Sequence, residues 1–156
     1  MRVRVLLVCA FLLGSLVCCA QSSSVAGEWR GIWTDRTGYV FTATVTLETG
    51  SGCKVCAASG DGSVRGTIVW TMRNAPAKAS PEEAAKVSMT ATEYVKGERK
   101  GGGLLVLNGY KKDDPNNIFS LDKYRLAISD DGMVLGGITF NNGTWTGQLI
   151  ALRAQN

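Results

Sequence analysis

Between residues 28 and 153 the chain alternates apolar and polar side chains with a period of two, interrupted by glycine, asparagine and aspartate. Segment 40–47 (VFTATVTL) is the clearest case. Phe41, Ala43, Val45 and Leu47 share one face, and Val40, Thr42, Thr44 and Thr46 share the other. Period-two alternation rich in β-branched residues is the pattern of a half-buried strand. It predicts eight strands, near 28–35, 40–47, 64–73, 87–96, 103–110, 121–129, 133–140 and 143–153. Thr37-Gly38, Asp130-Asp131-Gly132 and Asn141-Asn142-Gly143 mark turns, because these residues tolerate positive φ. Ser80-Pro81-Glu82-Glu83 supplies an N-cap, a proline at the first helical position and an acid at the third. A helix of about two turns is expected there, between strands three and four. The expected fold is therefore all-β: a single eight-stranded antiparallel up-and-down barrel with that one short helix.

The two ends of this region carry the same pattern, Gly27-Glu28-Trp29-Arg30-Gly31 and Gly143-Thr144-Trp145-Thr146-Gly147. Pairing the first strand with the last removes both exposed edges and closes the barrel. In this layout the chain resembles the calycin group, which comprises the lipocalins, fatty-acid-binding proteins and avidins. The resemblance rests on the eight-strand meander, Gly27-x-Trp29 opening the first strand and Arg153 near the end of the last. It implies the barrel architecture and a cation–π contact of Arg153 over Trp29. The avidin residues that bind biotin do not map onto this chain, so the likeness implies no ligand. The fold class alone hosts many functions.

Upstream of the barrel, Arg2 and Arg4 precede an apolar run over residues 5–17, which is shorter than the about 20 residues a membrane span needs. Residues 1–20 read as a signal peptide, 21–26 as a flexible spacer and 27–156 as the barrel domain. Two processing outcomes are open. Cleavage after Ala20 gives a soluble periplasmic or extracellular protein. Alternatively, Leu16-Val17-Cys18-Cys19 resembles a bacterial lipobox, with Cys19 lipidated and the protein anchored in the envelope. Loss of Arg2 and Arg4 lowers the net charge from +4 to +2, which argues against a nucleic-acid partner.

Chemistry is limited by composition. The chain has no histidine, which excludes the Ser-His-Asp triad, the Cys-His dyad and His-ligated metal sites. Of its five cysteines, only Cys53 and Cys56 fall within the barrel domain. A disulfide between them would staple a loop for at most about 2 kcal/mol. The competing thioredoxin-like reading requires a helix N-terminus, whereas the flanks of this pair read as loop. Asp113-Asp114-Pro115-Asn116-Asn117 lacks the spacing of a calcium loop and reads as a polar turn.

Within the barrel, parity turns Trp33, Phe41, Trp70, Met89 and Leu126 inward, where they are candidates for a ligand-binding lining. Trp29 and Trp145 are expected in the packed core. Glu93 shares the inward face of Val87, Met89, Ala91 and Val95 and is the sharpest single candidate, because a buried carboxylate must be paired, hydrogen-bonded or protonated. The alternatives are a bulge that exposes Glu93 and buries Tyr94, or a structural pair with Arg125 or Arg65. No pair of carboxylates stands at readable spacing, so a non-enzymatic protein without cofactor or metal is expected. Its partner would be a small apolar or amphipathic molecule inside the barrel, anchored by Glu93, or another exported protein bound through the loops.

Overall fold

All eight strands form where the alternation places them, with ends displaced by up to three residues. A computed structural model describes residues 24–50, 62–141 and 145–155. Cys19, Cys53, Cys56, the processing site and Asn142-Gly143-Thr144 lie outside the described residues. The strands are β1 (Gly27–Asp35), β2 (Val40–Thr49), β3 (Ser63–Asn74), β4 (Thr90–Arg99), β5 (Leu104–Asp113), β6 (Lys123–Ile128), β7 (Val134–Phe140) and β8 (Thr146–Arg153). Each pairs antiparallel with the next, and β8 returns to β1 to close an eight-stranded up-and-down barrel. The inward parity of β2 is borne out, with Phe41, Ala43, Val45 and Leu47 all buried.

Helix α1 (Pro81–Ala84) stands between β3 and β4 and carries the expected capping box. The Glu83 amide donates to Ser80 Oγ at 3.2 Å, and the Ser80 amide donates to Glu83 Oε2 at 3.0 Å. Tyr39 Oη, from the β1–β2 turn, donates to Glu83 Oε1 at 2.7 Å and ties the helix to the barrel end. The chain then continues in turns to Ser88, whose φ is +74°. This delays β4 to Thr90, three residues later than the alternation suggested.

Closure sets the ends of the barrel. Trp29 pairs with Arg153 and Trp33 with Leu149 along the β1–β8 seam. The Arg153 guanidinium lies 4.1 Å from the centre of the Trp29 ring, the contact the calycin resemblance implied. It also donates to the carbonyls of Ser24, Ala26 and Gly132. Trp29 donates its own indole N–H to the Val25 carbonyl at 3.1 Å and is fully buried. At the opposite end, the connections β1–β2, β3–β4, β5–β6 and β7–β8 form the mouth. Trp145 belongs there and not in the core. It precedes β8, is 36% exposed and stacks on Trp33, with ring centres 6.3 Å apart. The terminal glycine of its motif does contribute to packing, since a Cβ on Gly147 would come within 2.1 Å of the Trp33 ring.

Candidate functional site

Strand parity and the loops at the mouth bring six aromatic rings into one arc there. Tyr39 meets Trp145 at 4.7 Å, Trp145 meets Trp33, and Trp33 meets Phe41 at 5.6 Å. Phe41 then meets Trp70 at 6.2 Å, and Trp70 meets Phe119 at 6.4 Å. Five of these rings, all but Tyr39, enclose a cavity of about 20 Å³ together with Ser120 and Asp122. That is room for one water-sized group. Above it, Phe119, Ser120 and Trp145 also border an outer cleft of about 380 Å³, which Tyr39, Met72, Glu83, Lys86 and Asn117 help to line. Below it, inward side chains from all eight strands pack into one buried cluster.

Glu93 stands behind the aromatic wall, fully buried, as its parity predicted. The register with β5 does shift between Tyr94 and Val95, but the extra residue is Tyr110 on β5, so β4 keeps its alternation and Glu93 its inward direction. Its described partners are neither Arg65 nor Arg125. Glu93 Oε2 accepts from Trp70 Nε1 at 3.1 Å and from the Tyr124 hydroxyl, and Oε1 accepts from the Asp122 amide at 3.0 Å. Gly109 makes room for this carboxylate, since a Cβ there would lie 1.9 Å from Glu93 Oε1. Burial raises the Glu93 pKa above the ordinary carboxylate value, and the three donors offset part of that rise. Burial and the neighbouring Glu93 push Tyr124 well above the usual phenol, so it remains a donor.

The fold supplies a second carboxylate that the spacing along the chain did not reveal. Asp122 lines the cavity, and its pKa is pushed up to about 7, first by burial and then by the charge of Glu93. Thr139 offsets this in part by hydrogen-bonding the Asp122 carboxylate, and its Oγ1 accepts from Trp33 Nε1 at 2.6 Å. The signal was present, because Asp122 shares the inward parity of Tyr124, Leu126 and Ile128. Phe119 and Ser120 had no such signal. They are placed by the loop between β5 and β6, which Lys112 organises from within. Its ammonium donates to Asp114 Oδ2 and Asn117 Oδ1, each at 3.0 Å, and to the Phe119 carbonyl at 2.5 Å. Asp114 in turn accepts the amides of Ile118 and Phe119. Burial opposes its ionisation, but these amides and Lys112 together hold its carboxyl below the usual range.

The remaining sequence candidates lie elsewhere. Leu126 is buried in the core and Met89 packs, half-buried, against it just ahead of β4; neither borders the cavity. Among the described residues, no group of three His, Cys, Asp or Glu side chains is arranged to hold a metal ion. No protein-family model matches the chain, and comparison of its sequence with curated proteins finds no match.

Proposed function

We propose that this is an exported, non-enzymatic binding protein that holds a small amphipathic ligand at the mouth of a calycin-like barrel. The observation that carries the reading is the aromatic-walled cavity opening under a larger, more polar cleft, with Phe119, Ser120 and Trp145 common to both. An apolar recess with a few convergent polar groups is the usual form of a small-molecule site. The closed eight-strand meander and the Arg153–Trp29 stack support the calycin-like affiliation. The filled interior moves the expected ligand from the barrel centre to its rim. Glu93 becomes a buried strut behind the site, while Asp122 is the carboxylate that faces the ligand.

Native mass spectrometry on the protein purified from its own host tests the reading. A small companion mass that survives on the folded protein and leaves on denaturation is the expected result. The same spectrum reads the processed N-terminus, including any lipid on Cys19. A bare protein whose tryptophan fluorescence also ignores a panel of small amphipathic molecules would overturn the proposal. A second reading, interaction with another exported protein, is favoured by one feature. Ile32, Ile138, Ile150 and Leu152 stand exposed on the outer surface of neighbouring strands β1, β7 and β8. Exposed apolar patches of this kind mark interaction sites. Recovery of the protein cross-linked to a partner through these positions would favour that reading.

A further inference from the structure

We propose that the inner cavity is a socket for a primary ammonium group, so that the ligand is a primary amine whose apolar chain extends into the outer cleft. This inference rests on the reading that a small molecule binds at the mouth.

Three observations define the head group. The first is size. A cavity of about 20 Å³ admits an ammonium, which is the size of water, and excludes a trimethylammonium. The second is the character of the walls. Trp33, Phe41, Trp70, Phe119 and Trp145 surround the space with rings, whose faces attract cations. The third is the distribution of donors and acceptors. The indole N–H groups of Trp33 and Trp70 are committed to Thr139 and Glu93, so neither is available to an anion in the cavity. Among the described lining residues Ser120 and Asp122 carry the polar side chains besides the tryptophans, and Asp122 is the one carboxylate. The nearby cation, Lys112, is engaged by Asp114, Asn117 and Phe119 on the loop. Asp122 lines the cavity and feels the charge of Glu93, whose carboxylate accepts the Asp122 amide behind the wall, and an ammonium beside Asp122 would balance that negative charge.

Binding should depend on pH through Asp122. The groups around it are Glu93 on β4, Tyr124 on β6, which Asp122 immediately precedes, Thr139 on β7 and, through Glu93, Lys112 on β5. Of these, Tyr124 stays protonated. Affinity for an amine is therefore expected to rise with pH toward 7 and to level off above it, while the amine itself remains charged.

The test is a calorimetric and fluorescence titration of the intact protein with three probes of equal chain length: hexylamine, hexyltrimethylammonium and 1-hexanol. At pH 8, hexylamine is expected to bind about tenfold more tightly than either of the others. Between pH 8 and pH 6 that advantage should fall by close to tenfold, following the ionisation of Asp122. Asp122→Asn should abolish the preference, bringing the affinity for hexylamine down to that for 1-hexanol measured on the same variant. Trp145→Leu, at a partly exposed site, should weaken hexylamine severalfold more than hexanol. Equal binding of hexanol or hexyltrimethylammonium, or a preference that survives Asp122→Asn, would overturn the ammonium socket and leave the ligand site standing. Failure of all three probes to bind would overturn both.

Discussion

At the scale of single residues, the Glu93 carboxylate is held by donors on three elements: Trp70 on β3, Tyr124 on β6 and the Asp122 amide just before β6. Glu93→Gln replaces one acceptor oxygen with an NH₂ group that must face a donor. It is expected to destabilise the fold by about 2–4 kcal/mol in chemical denaturation, since a buried donor loses its partner. Asp122 makes an opposite kind of demand. Its folded pKa of about 7 stands above its unfolded value, so between these values the folded state binds the extra proton. Stability from this group is complete below about pH 4 and is lost as pH rises to 7, by up to about 4 kcal/mol. Denaturation curves recorded from pH 4 to 8 should show this decline, and Asp122→Asn should remove it. Glu93 was legible because its strand alternates cleanly on both sides. Asp122 had the parity of the inward residues of β6, but its coupling to Glu93 was not legible, because it sits where a polar loop becomes a strand and its surroundings are assembled by contacts from β4 and β7 that no local pattern records.

At the scale of elements, the strands were legible and the connections only in part. The capping box of α1 depends on residues within one turn, so Ser80 and Glu83 announced it. The late start of β4 depends on how the turns after α1 fold back: the Ser88 amide donates to the Met72 carbonyl at 2.8 Å, and the Met72 amide donates to Met89. That is a long-range pairing, and alternation cannot set where it begins. The β5–β6 connection has a similar cause. Read along the chain, residues 113–117 are merely polar, yet the Asp114 side chain is covered and bonded to two amides and to Lys112. Lys112→Met would strip three bonds from the loop and leave the Asp114 charge without its cation. A loss of about 2 kcal/mol is expected. Faster amide exchange over residues 114–121 and altered Trp70 fluorescence, through displacement of Phe119, would accompany it.

At the scale of the whole molecule, the repeated Gly-x-Trp-x-Gly pattern pointed correctly to the closing seam, although only the first tryptophan is buried in it. Close approach of β1 to β8 depends on Gly31, where a Cβ would come within 2.2 Å of the Ile150 carbonyl oxygen. Gly31→Ala should pry the seam apart, with a loss of about 3 kcal/mol in thermal or chemical unfolding. The exposed apolar side chains on the same strands would then lie beside unpaired backbone, a combination that favours aggregation. The Arg153 contact extends this to the order in which the chain is made. Trp29 belongs to the first strand synthesised and its capping guanidinium to the last. The two ends of the barrel meet only after every intervening strand exists. A nascent chain at seven strands has an open sheet with two edges and a tryptophan lacking its cover. Completion is therefore a late event in the life of the polypeptide, and Arg153 acts as the clasp that distinguishes a finished molecule from an interrupted one.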